Sequence, residues 1–367
     1  MKRNLIIAAT ALLCSIAPNA CAKPLKVFIL AGQSNMQGHA NVATLDYIGD
    51  DPATAPILKE MRAADGKARV CDKVWISSVG CAGDGWSDVI EQKGKLTAGF
   101  GASTEEIGPE FTFGIYMEKH LGEPILLIKT AWGGRSLTTD FRPPSAGKRV
   151  FNDYILGKWK GMGLNLKDES AKNNEKCGVF YRHMMEHLKK VLGDIKEVVP
   201  AYDQKQGYEL AGFVWFQGFN DFVDDWTYNN RMKPGGYDEY GQVLAKFIRD
   251  VRKDLSAPKM PFVIGVMGIG GLPEDQKPPQ KHFRQAQVLP TTMPEFKGNV
   301  IAVQTAPFWD KKLGKLEEKK DKTPTEEAQW KRGASNGGYH YLGCAKTMAQ
   351  IGKAFAEALA NPQKTLR

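Results

Sequence analysis

The sequence predicts an α/β protein with three layers, in which helices cover both faces of a central, mostly parallel sheet of five strands. Short, nearly continuous apolar runs followed by small or polar residues are typical of strands buried on both faces of a parallel sheet. Between these runs, apolar residues recur every three or four positions, which indicates amphipathic helices. Strands that alternate with helices in this way indicate an α/β/α arrangement. Long irregular segments interrupt the pattern, and we expect them as loop insertions in a single domain.

The elements can be read from the chain in order. The apolar runs that predict strands cover residues 25–30, 124–129, 210–216, 261–267 and 299–304. The helical patterns cover residues 109–120, 179–191, 240–255 and 344–359. In the clearest of them, Tyr240, Leu244 and Phe247 share one face. Segments rich in Gly, Asp, Lys and Pro, which predict long loops near a binding site, cover residues 41–103, 137–176 and 311–332.

The composition is that of an ordinary globular protein. Of the 367 residues, 42% are hydrophobic and 25% are charged, which argues against collagen, a coiled coil, a disordered chain and a multi-span membrane protein. The formal net charge is +9, spread over 50 basic and 41 acidic residues without a block of like charge. Nucleic-acid binding usually needs a concentrated basic stripe. We therefore expect no nucleic-acid partner.

The first 22 residues have the pattern of a secretory signal peptide. Lys2 and Arg3 precede an apolar run too short to span a bilayer, and a small-x-small site at residues 20–22 follows it. Cleavage there would leave residues 23–367 as one exported domain, periplasmic or extracellular, without a membrane span. A lipid-modified Cys21 is the less favoured alternative, because Pro18 stands where a lipobox needs an aliphatic residue.

Export would permit disulfides in the mature chain. Its cysteines are Cys71, Cys81, Cys177 and Cys344. They allow three full pairings, and we favour Cys71 with Cys81 because both lie in one loop-like segment. No C-x-x-C pattern is present, so no structural zinc site is predicted.

Polar turns that contain glycine follow the first three predicted strands. They read Ala31-Gly-Gln-Ser-Asn-Met-Gln-Gly38, Thr130-Ala-Trp-Gly-Gly-Arg-Ser136 and Gln217-Gly-Phe-Asn-Asp221. In open parallel sheets, ligands bind beyond the carboxyl ends of the strands, so these turns should meet at one edge. A late Gly337-Gly-Tyr-His340 segment, just before the last helix, can bring an imidazole to the same place.

These residues are suited to attack on an acyl carbonyl. A serine hydroxyl is a weak nucleophile unless a base takes its proton, and His340 is the predicted base for Ser34. The oxyanion that forms needs preorganised donors. We predict these as the backbone N–H groups of Ser34 and of Gly133 or Gly134, and the side-chain amide of Asn220. With an ordinary histidine pKa, activity would fall below about pH 6.

In this order the motifs resemble those of SGNH (GDSL-type) hydrolases, in particular the sialate O-acetylesterase-like branch that includes acetylxylan esterases of carbohydrate esterase family 6. Secondary signatures are Gly108-Pro-Glu110-Phe and Arg284-Gln-Ala-Gln287. The resemblance implies an SGNH-type, flavodoxin-like fold and a carbohydrate O-acetylesterase. It assigns Ser34 as nucleophile and His340 as general base and acid, with an acetylated carbohydrate as substrate and no metal or other cofactor.

Two positions depart from the family pattern. SGNH enzymes commonly have an Asp three residues before the His, where this chain has Gly337, and Phe219 replaces the Glu of a frequent Gln-Gly-Glu. The resemblance therefore leaves the partner of His340 open between a backbone carbonyl and an acid from elsewhere. The candidate acids are Asp221, Asp310 and Glu110.

Substrate-binding residues are expected at the same edge. Amides and guanidinium groups can bind sugar hydroxyls or a carboxylate, and aromatic rings can stack on a sugar. The candidates of these types are Gln33, Gln217, Arg135, Arg284, Trp132 and Tyr339. Aromatic residues beside strands also often belong to the core, and arginines also form structural ion pairs. No motif in the long loops identifies the glycan.

Two other functions stay open. His183-Met-Met-Glu186-His187 matches the H-x-x-E-H pattern of inverted zinc peptidases. The apolar residues of the same segment instead predict an ordinary amphipathic helix, with His183 and His187 toward solvent. A catalytically silent glycan-binding protein on the same fold is the second alternative, suggested by the missing Asp.

Overall fold

The structure is a computed structural model, which describes residues 23–81, 89–272 and 277–362. The predicted signal peptide and Cys21 lie outside the described residues. The strands are β1 (Leu25–Gly32), β2 (Ala40–Asn41), β3 (Val74–Cys81), β4 (Val89–Lys95), β5 (Glu106–Ile107), β6 (Ile125–Ala131), β7 (Tyr208–Phe216), β8 (Phe262–Val266) and β9 (Val300–Gln304). The five predicted strands correspond to β1, β6, β7, β8 and β9.

Seven strands form the central sheet, in the order β4-β3-β6-β1-β7-β8-β9. All neighbours are parallel except β3 and β4, which pair antiparallel at one edge. The predicted three-layer, mostly parallel fold is confirmed, with two more strands than expected. Both lie in the segment predicted as a loop, residues 41–103. β4 reads Val-Ile-Glu-Gln-Lys-Gly-Lys, so this edge strand lacks the apolar run that marks a central strand.

The helices are α1 (Ser34–Gln37), α2 (Ala55–Met61), α3 (Glu110–Leu121), α4 (Asp153–Gly161), α5 (Leu166–Glu175), α6 (Val179–Gly193), α7 (Phe219–Val223), α8 (Asp238–Asp254), α9 (Pro278–Val288), α10 (Lys311–Glu318), α11 (Pro324–Gly333) and α12 (Ala345–Ala360). Helices α3, α6, α8 and α12 confirm the predicted helical patterns. Helices α4, α5, α10 and α11 lie where long loops were predicted. Helix α5 has no buried residue, which explains why no apolar pattern revealed it.

Separate apolar cores lie on the two faces of the sheet. Side chains of α6 and α8 belong to one core, and side chains of α3 and α12 belong to the other. Strand β1 supplies both, because alternate residues point to opposite faces: Val27 and Ile29 face the first core, Phe28 and Leu30 the second. Each fully buried side chain of this size contributes roughly 1.5–3 kcal/mol. The cores thereby fix the carboxyl ends of the strands, from which the functional turns leave.

The predicted disulfide is not formed. Cys71, Cys177 and Cys344 carry free thiols, and the side chain of Cys81 is not among those described. Burial raises the pKa of Cys71 to about 12 and that of Cys344 to about 11, so both thiols stay protonated at neutral pH. Within the described ranges, no helix is both long and apolar enough to cross a lipid bilayer.

Candidate active site

The predicted nucleophile lies on the turn that leaves β1. Ser34 is the first residue of α1 and is 7% exposed. The side-chain amide of Gln33 donates from Nε2 to Ser34 Oγ at 3.0 Å. Because the serine oxygen accepts this bond, its own proton remains available for a base. Gly38 ends the turn with φ 93°, and a Cβ there would lie 2.2 Å from Gly108 Cα, so only glycine fits.

The glycine turn after β6 borders the serine. A Cβ built on Gly133 would lie 3.9 Å from Ser34 Cβ, whereas Gly134 has φ 72° and turns the chain. Ser34 N belongs to the first turn of a helix, whose N–H groups have no acceptor within the helix. Gly133 thus borders Ser34, and the next residue, Gly134, stays the other predicted oxyanion glycine.

Gln33 also connects Ser34 with the predicted oxyanion asparagine on α7. Asn220 N donates to Gln33 Oε1 at 3.2 Å, while Gln33 Nε2 contacts the serine. Gln33 is fully buried, so it bridges two site residues instead of presenting itself to a substrate. Asn220 Oδ1 is buried and has no hydrogen-bond partner in the part of the chain that the structure describes.

Asp221 connects α7 to the glycine turn and does not contact the base. Its carboxylate accepts from Leu137 N at 2.7 Å, Thr138 N at 3.1 Å and Gln217 Nε2 at 2.7 Å, and also from the Thr138 hydroxyl. Burial raises the pKa of Asp221, although these hydrogen bonds oppose the shift. Asp221 thereby holds Asn220 and the Gly133 turn in one rigid frame.

Gln217 belongs to the same buried network. Its Nε2 also donates to Arg135 O at 3.0 Å, and its Oε1 accepts from Tyr240 OH at 3.0 Å. Gln217 is 2% exposed. The substrate contact predicted for this residue is therefore replaced by a structural role between the turns after β6 and β7.

His340 lies in a 3₁₀ segment, Gly338–Gly343, that contacts α1. The two residues after it, Tyr341 and Leu342, have φ 53° and φ 64°, which is strained for side chains other than glycine. Both are fully buried, and Tyr341 OH accepts from Gly268 N at 2.7 Å. The packed side chains thus maintain a strained turn directly beside the predicted base.

The partner of His340 is an amide. His340 Nδ1 lies 3.1 Å from Asn336 Oδ1, and since that oxygen can only accept, Nδ1 carries the proton and Nε2 keeps its lone pair. The hydrogen bonds of the described residues include none between Ser34 Oγ and His340. Such a bond often tightens only when substrate binds.

None of the three candidate acids contacts His340. Asp221 is bound as described above. Asp310 accepts from Tyr47 OH and pairs with Lys346, each at 3.0 Å. Glu110 pairs with Lys129 at 2.8 Å in the core. At the position of the usual Asp, a Cβ on Gly337 would lie 2.6 Å from Tyr339 Cε1, so a side chain there would displace that ring.

The pKa of His340 is lowered to about 3 by burial and by the charge of His39, whose ring stacks on it. His340 is therefore neutral at neutral pH, as a general base must be. The loss of activity expected near pH 6 does not follow for this histidine, because its protonation is shifted to lower pH.

The remaining substrate candidates divide by exposure. Trp132 and Arg284 are 2% and 7% exposed, and Arg284 donates to Gly271 O at 2.9 Å. Arg135 packs over the Phe180 ring at 4.1 Å. Tyr339, by contrast, is 49% exposed and its ring centroid lies 4.4 Å from that of His340. Tyr339 alone of the predicted aromatic candidates lies open to solvent beside the base.

A groove of about 630 Å³ adjoins the His340 segment. Its walls include Phe222, Trp309 and Glu317. Glu317 Oε1 also accepts from Gly338 N at 2.6 Å. Helix α10 therefore lines the groove and binds the segment that carries the predicted base. The groove is large enough for part of a sugar chain.

The zinc-peptidase pattern does not form a metal site. His183 is exposed and its Nδ1 lies 3.2 Å from Glu186 Oε2. His187 does not face solvent as predicted: it is 7% exposed and its Nε2 lies 3.1 Å from Ser77 Oγ of β3. In the described ranges, no group of three or more His, Cys, Asp or Glu side chains is positioned to hold a metal ion.

Comparison with known families settles the relationship suggested by these turns. A family model described as carbohydrate esterase, sialic acid-specific acetylesterase, matches residues 24–312. The chain belongs to this family. Membership confirms the sialate O-acetylesterase-like resemblance and identifies the protein as a carbohydrate acetylesterase.

Several solved structures are similar to this esterase. A protein from Arabidopsis thaliana is 17% identical with a TM-score of 0.45, over 92% of this chain and 98% of that chain. A carbohydrate acetylesterase from Xanthomonas citri is 13% identical with a TM-score of 0.47, over 92% of this chain and 57% of that chain. NanS is 12% identical with a TM-score of 0.46, over 94% of this chain and 99% of that chain. No curated protein matches the chain.

Three residues of the esterase's site were missed by the motifs. His39 stands directly after the Gly-Gln-Ser-Asn-Met-Gln-Gly turn, and that position was the only signal for it. Asn336 directly precedes Gly337, the position of the usual Asp, and that neighbourhood was its only signal. Lys129 ends an apolar run, where a buried lysine requires a buried acid; this signal could have identified the pair with Glu110.

Proposed function

We propose that the protein is an exported carbohydrate O-acetylesterase that uses Ser34 and His340 as its catalytic pair. The observation that carries this proposal is the bridge through Gln33, which joins the serine oxygen to the backbone of Asn220. The substrate is an acetylated oligo- or polysaccharide, whose chain would extend into the groove lined by Phe222, Trp309 and Glu317. The glycan itself is left open.

The reaction proceeds through an acetyl-enzyme. Ser34 Oγ attacks the acetyl carbonyl while His340 Nε2 takes the hydroxyl proton. The oxyanion accepts hydrogen bonds from Ser34 N, from the backbone N–H of Gly133 or Gly134 and from the Asn220 amide, each worth about 3 kcal/mol in the transition state. The intermediate collapses when His340 returns the proton to the departing sugar oxygen.

Water then releases the acetyl group. It attacks the acetyl carbonyl of Ser34 as His340 Nε2 takes one of its protons, and that proton returns to Ser34 Oγ when acetate leaves. Asn336 keeps Nδ1 protonated throughout, so Nε2 is the nitrogen that exchanges protons. Asn336 is neutral, so the imidazolium gains less stabilisation than an aspartate would give.

Acetate release by the wild type and by Ser34→Ala tests this function. On an aryl acetate and on a panel of acetylated polysaccharides, we expect Ser34→Ala to lower kcat by roughly 10³-fold or more. Ser170→Ala on the surface helix α5 is the matched control and should keep wild-type activity. A wild type that binds glycans but hydrolyses none of these esters would contradict the enzyme and favour the glycan-binding alternative.

Export is the second part of the proposal. The basic start, short apolar run and small-x-small site of residues 1–22 support cleavage after Ala22. In a secreting host, amino-terminal sequencing of the exported protein should begin at Lys23. A protein that keeps Met1, or one that carries lipid on Cys21, would overturn this assignment.

A further inference from the structure

His39 stacks on the predicted base. The imidazole rings of His39 and His340 are parallel within 2°, with centroids 4.0 Å apart. His39 Nδ1 lies 3.7 Å from Glu106 Oε1, and both side chains are mostly buried, at 20% and 18% exposure. A histidine with a carboxylate behind it thus covers one face of His340.

Backbone pairing fixes this stack. His39 directly precedes β2, which pairs antiparallel with β5, the strand that carries Glu106. On the other side, Ser335 Oγ contacts the backbone of His39 and Asn41, accepting from Asn41 N at 3.1 Å. Because Ser335 is the neighbour of Asn336, the two-stranded ribbon and the segment that holds His340 are joined directly.

The stack and Asn336 restrain His340 in different ways. The hydrogen bond from Nδ1 to Asn336 fixes the direction of the ring, but leaves it free to tilt about that bond. A ring lying flat at 4.0 Å blocks tilting on that face. An aspartate in a catalytic triad orients the imidazole by a strong charged hydrogen bond, and His340 has no such bond.

Different titratable groups lie on the different sides of the His340 ring. His39 covers its face, with Glu106 behind it. Tyr339 contacts its edge, and Glu317 on α10 binds the nearby Gly338 N. Glu106 is the acidic group that faces His39. A charge on His39 disfavours a second charge on His340.

We propose that His39 is a positioning residue for His340: its stacked ring, supported by Glu106, replaces the orienting acid of a triad. This inference rests on the proposed function. It has two consequences. The ring of His39 keeps Nε2 aimed at the serine, and a charge on His39 adds to the effect of burial in lowering the pKa of His340.

Two substitutions separate these effects. His39→Ala removes the ring, so kcat should fall roughly tenfold to a hundredfold with KM little changed, since proton transfer loses its alignment. His39→Phe keeps a flat ring without a charge, so it should retain most of kcat at neutral pH. In His39→Phe the acid limb of kcat/KM should move to higher pH, because the charge that opposes protonation of His340 is gone.

His183→Ala, on the exposed face of α6, is the matched control and should leave both kcat and the acid limb unchanged. A His39→Ala variant with wild-type kcat, or a His39→Phe variant with an unshifted acid limb, would overturn the proposal. If His39→Ala does not fold, the pH profile of His39→Phe and an NMR titration of the His340 ring decide. The titration needs no turnover, so it still tests the stack if the wild type proves inactive and the proposed function fails.

Discussion

In the proposed mechanism, Asn336 determines which nitrogen of His340 acts as the base. Its amide oxygen holds the proton on Nδ1 without adding a charge, while burial and His39 lower the pKa of His340 to about 3. The result is a base that stays neutral in acid but whose protonated form is weakly stabilised. An enzyme built this way should keep most of its kcat/KM at about pH 5, where an ordinary histidine is largely protonated.

Asn336→Asp should reverse that balance. A carboxylate beside Nδ1 favours the charged imidazole, so it raises the pKa of His340, and the acid limb of kcat/KM should move up by about 1–3 pH units. The measurement is kcat/KM against pH for the wild type and the variant. Asn229→Asp, at an exposed asparagine, is the control for the added charge. An acid limb at the same pH in Asn336→Asp and the wild type would show that Asn336 does not contact the base during catalysis.

A buried ion pair supports the turn that carries Ser34. Lys129, near the end of β6, donates to Gln37 O at 2.7 Å, Phe100 O at 2.6 Å and Glu110 Oε2 at 2.8 Å. Lys129 and Glu110 are 1% and 0% exposed. Gln37 is the last residue of α1, so the lysine binds the carboxyl end of the turn whose first residue is Ser34. Glu110 therefore supports the turn that carries Ser34 and does not pair with His340.

Removing one member of this pair should be strongly destabilising. Lys129→Met leaves the Glu110 carboxylate buried without a counter-charge, which we expect to lower the free energy of unfolding by about 3–5 kcal/mol. The double variant Lys129→Met with Glu110→Gln should lose less, because no charge is left behind. Denaturant unfolding of the three proteins measures both effects. Equal unfolding midpoints for Lys129→Met and the wild type would rule out this role.

The candidate site forms because neighbouring parallel strands end at one edge of the sheet, where the turns that follow them meet. Ser34 follows β1, Gly133 follows β6 and Asn220 follows β7, and these three strands are neighbours in the sheet. That convergence could be predicted from the sequence, since apolar runs mark central strands and each is followed by a polar turn. Strand β4 could not, because this edge strand is polar and has no continuous apolar run. Its neighbour β3 was missed because Ser77, Ser78 and Gly80 interrupt its apolar residues.

The partners of buried polar residues were also beyond sequence reasoning. Gln33 and Gln217 have the residue types of sugar-binding side chains, yet both are satisfied by groups far away along the chain. Asp221 and Glu110 were credible acids for His340 until their actual partners were known. Motif spacing identifies which residues meet at an edge, but it does not identify the hydrogen bonds that each of them makes there.

If Ser34 is the nucleophile, it becomes acetylated during turnover, and mass spectrometry of the trapped enzyme detects that acetyl group. The protein is mixed with an aryl acetate, quenched in acid and digested with a protease. The mass of the peptide that contains residue 34 is then measured for the wild type, His340→Ala and Ser34→Ala. We expect one acetyl group on Ser34 in the wild type, little in His340→Ala and none in Ser34→Ala, which should also release no acetate. Acetate release by Ser34→Ala at the wild-type rate would contradict the assignment of Ser34 as the nucleophile.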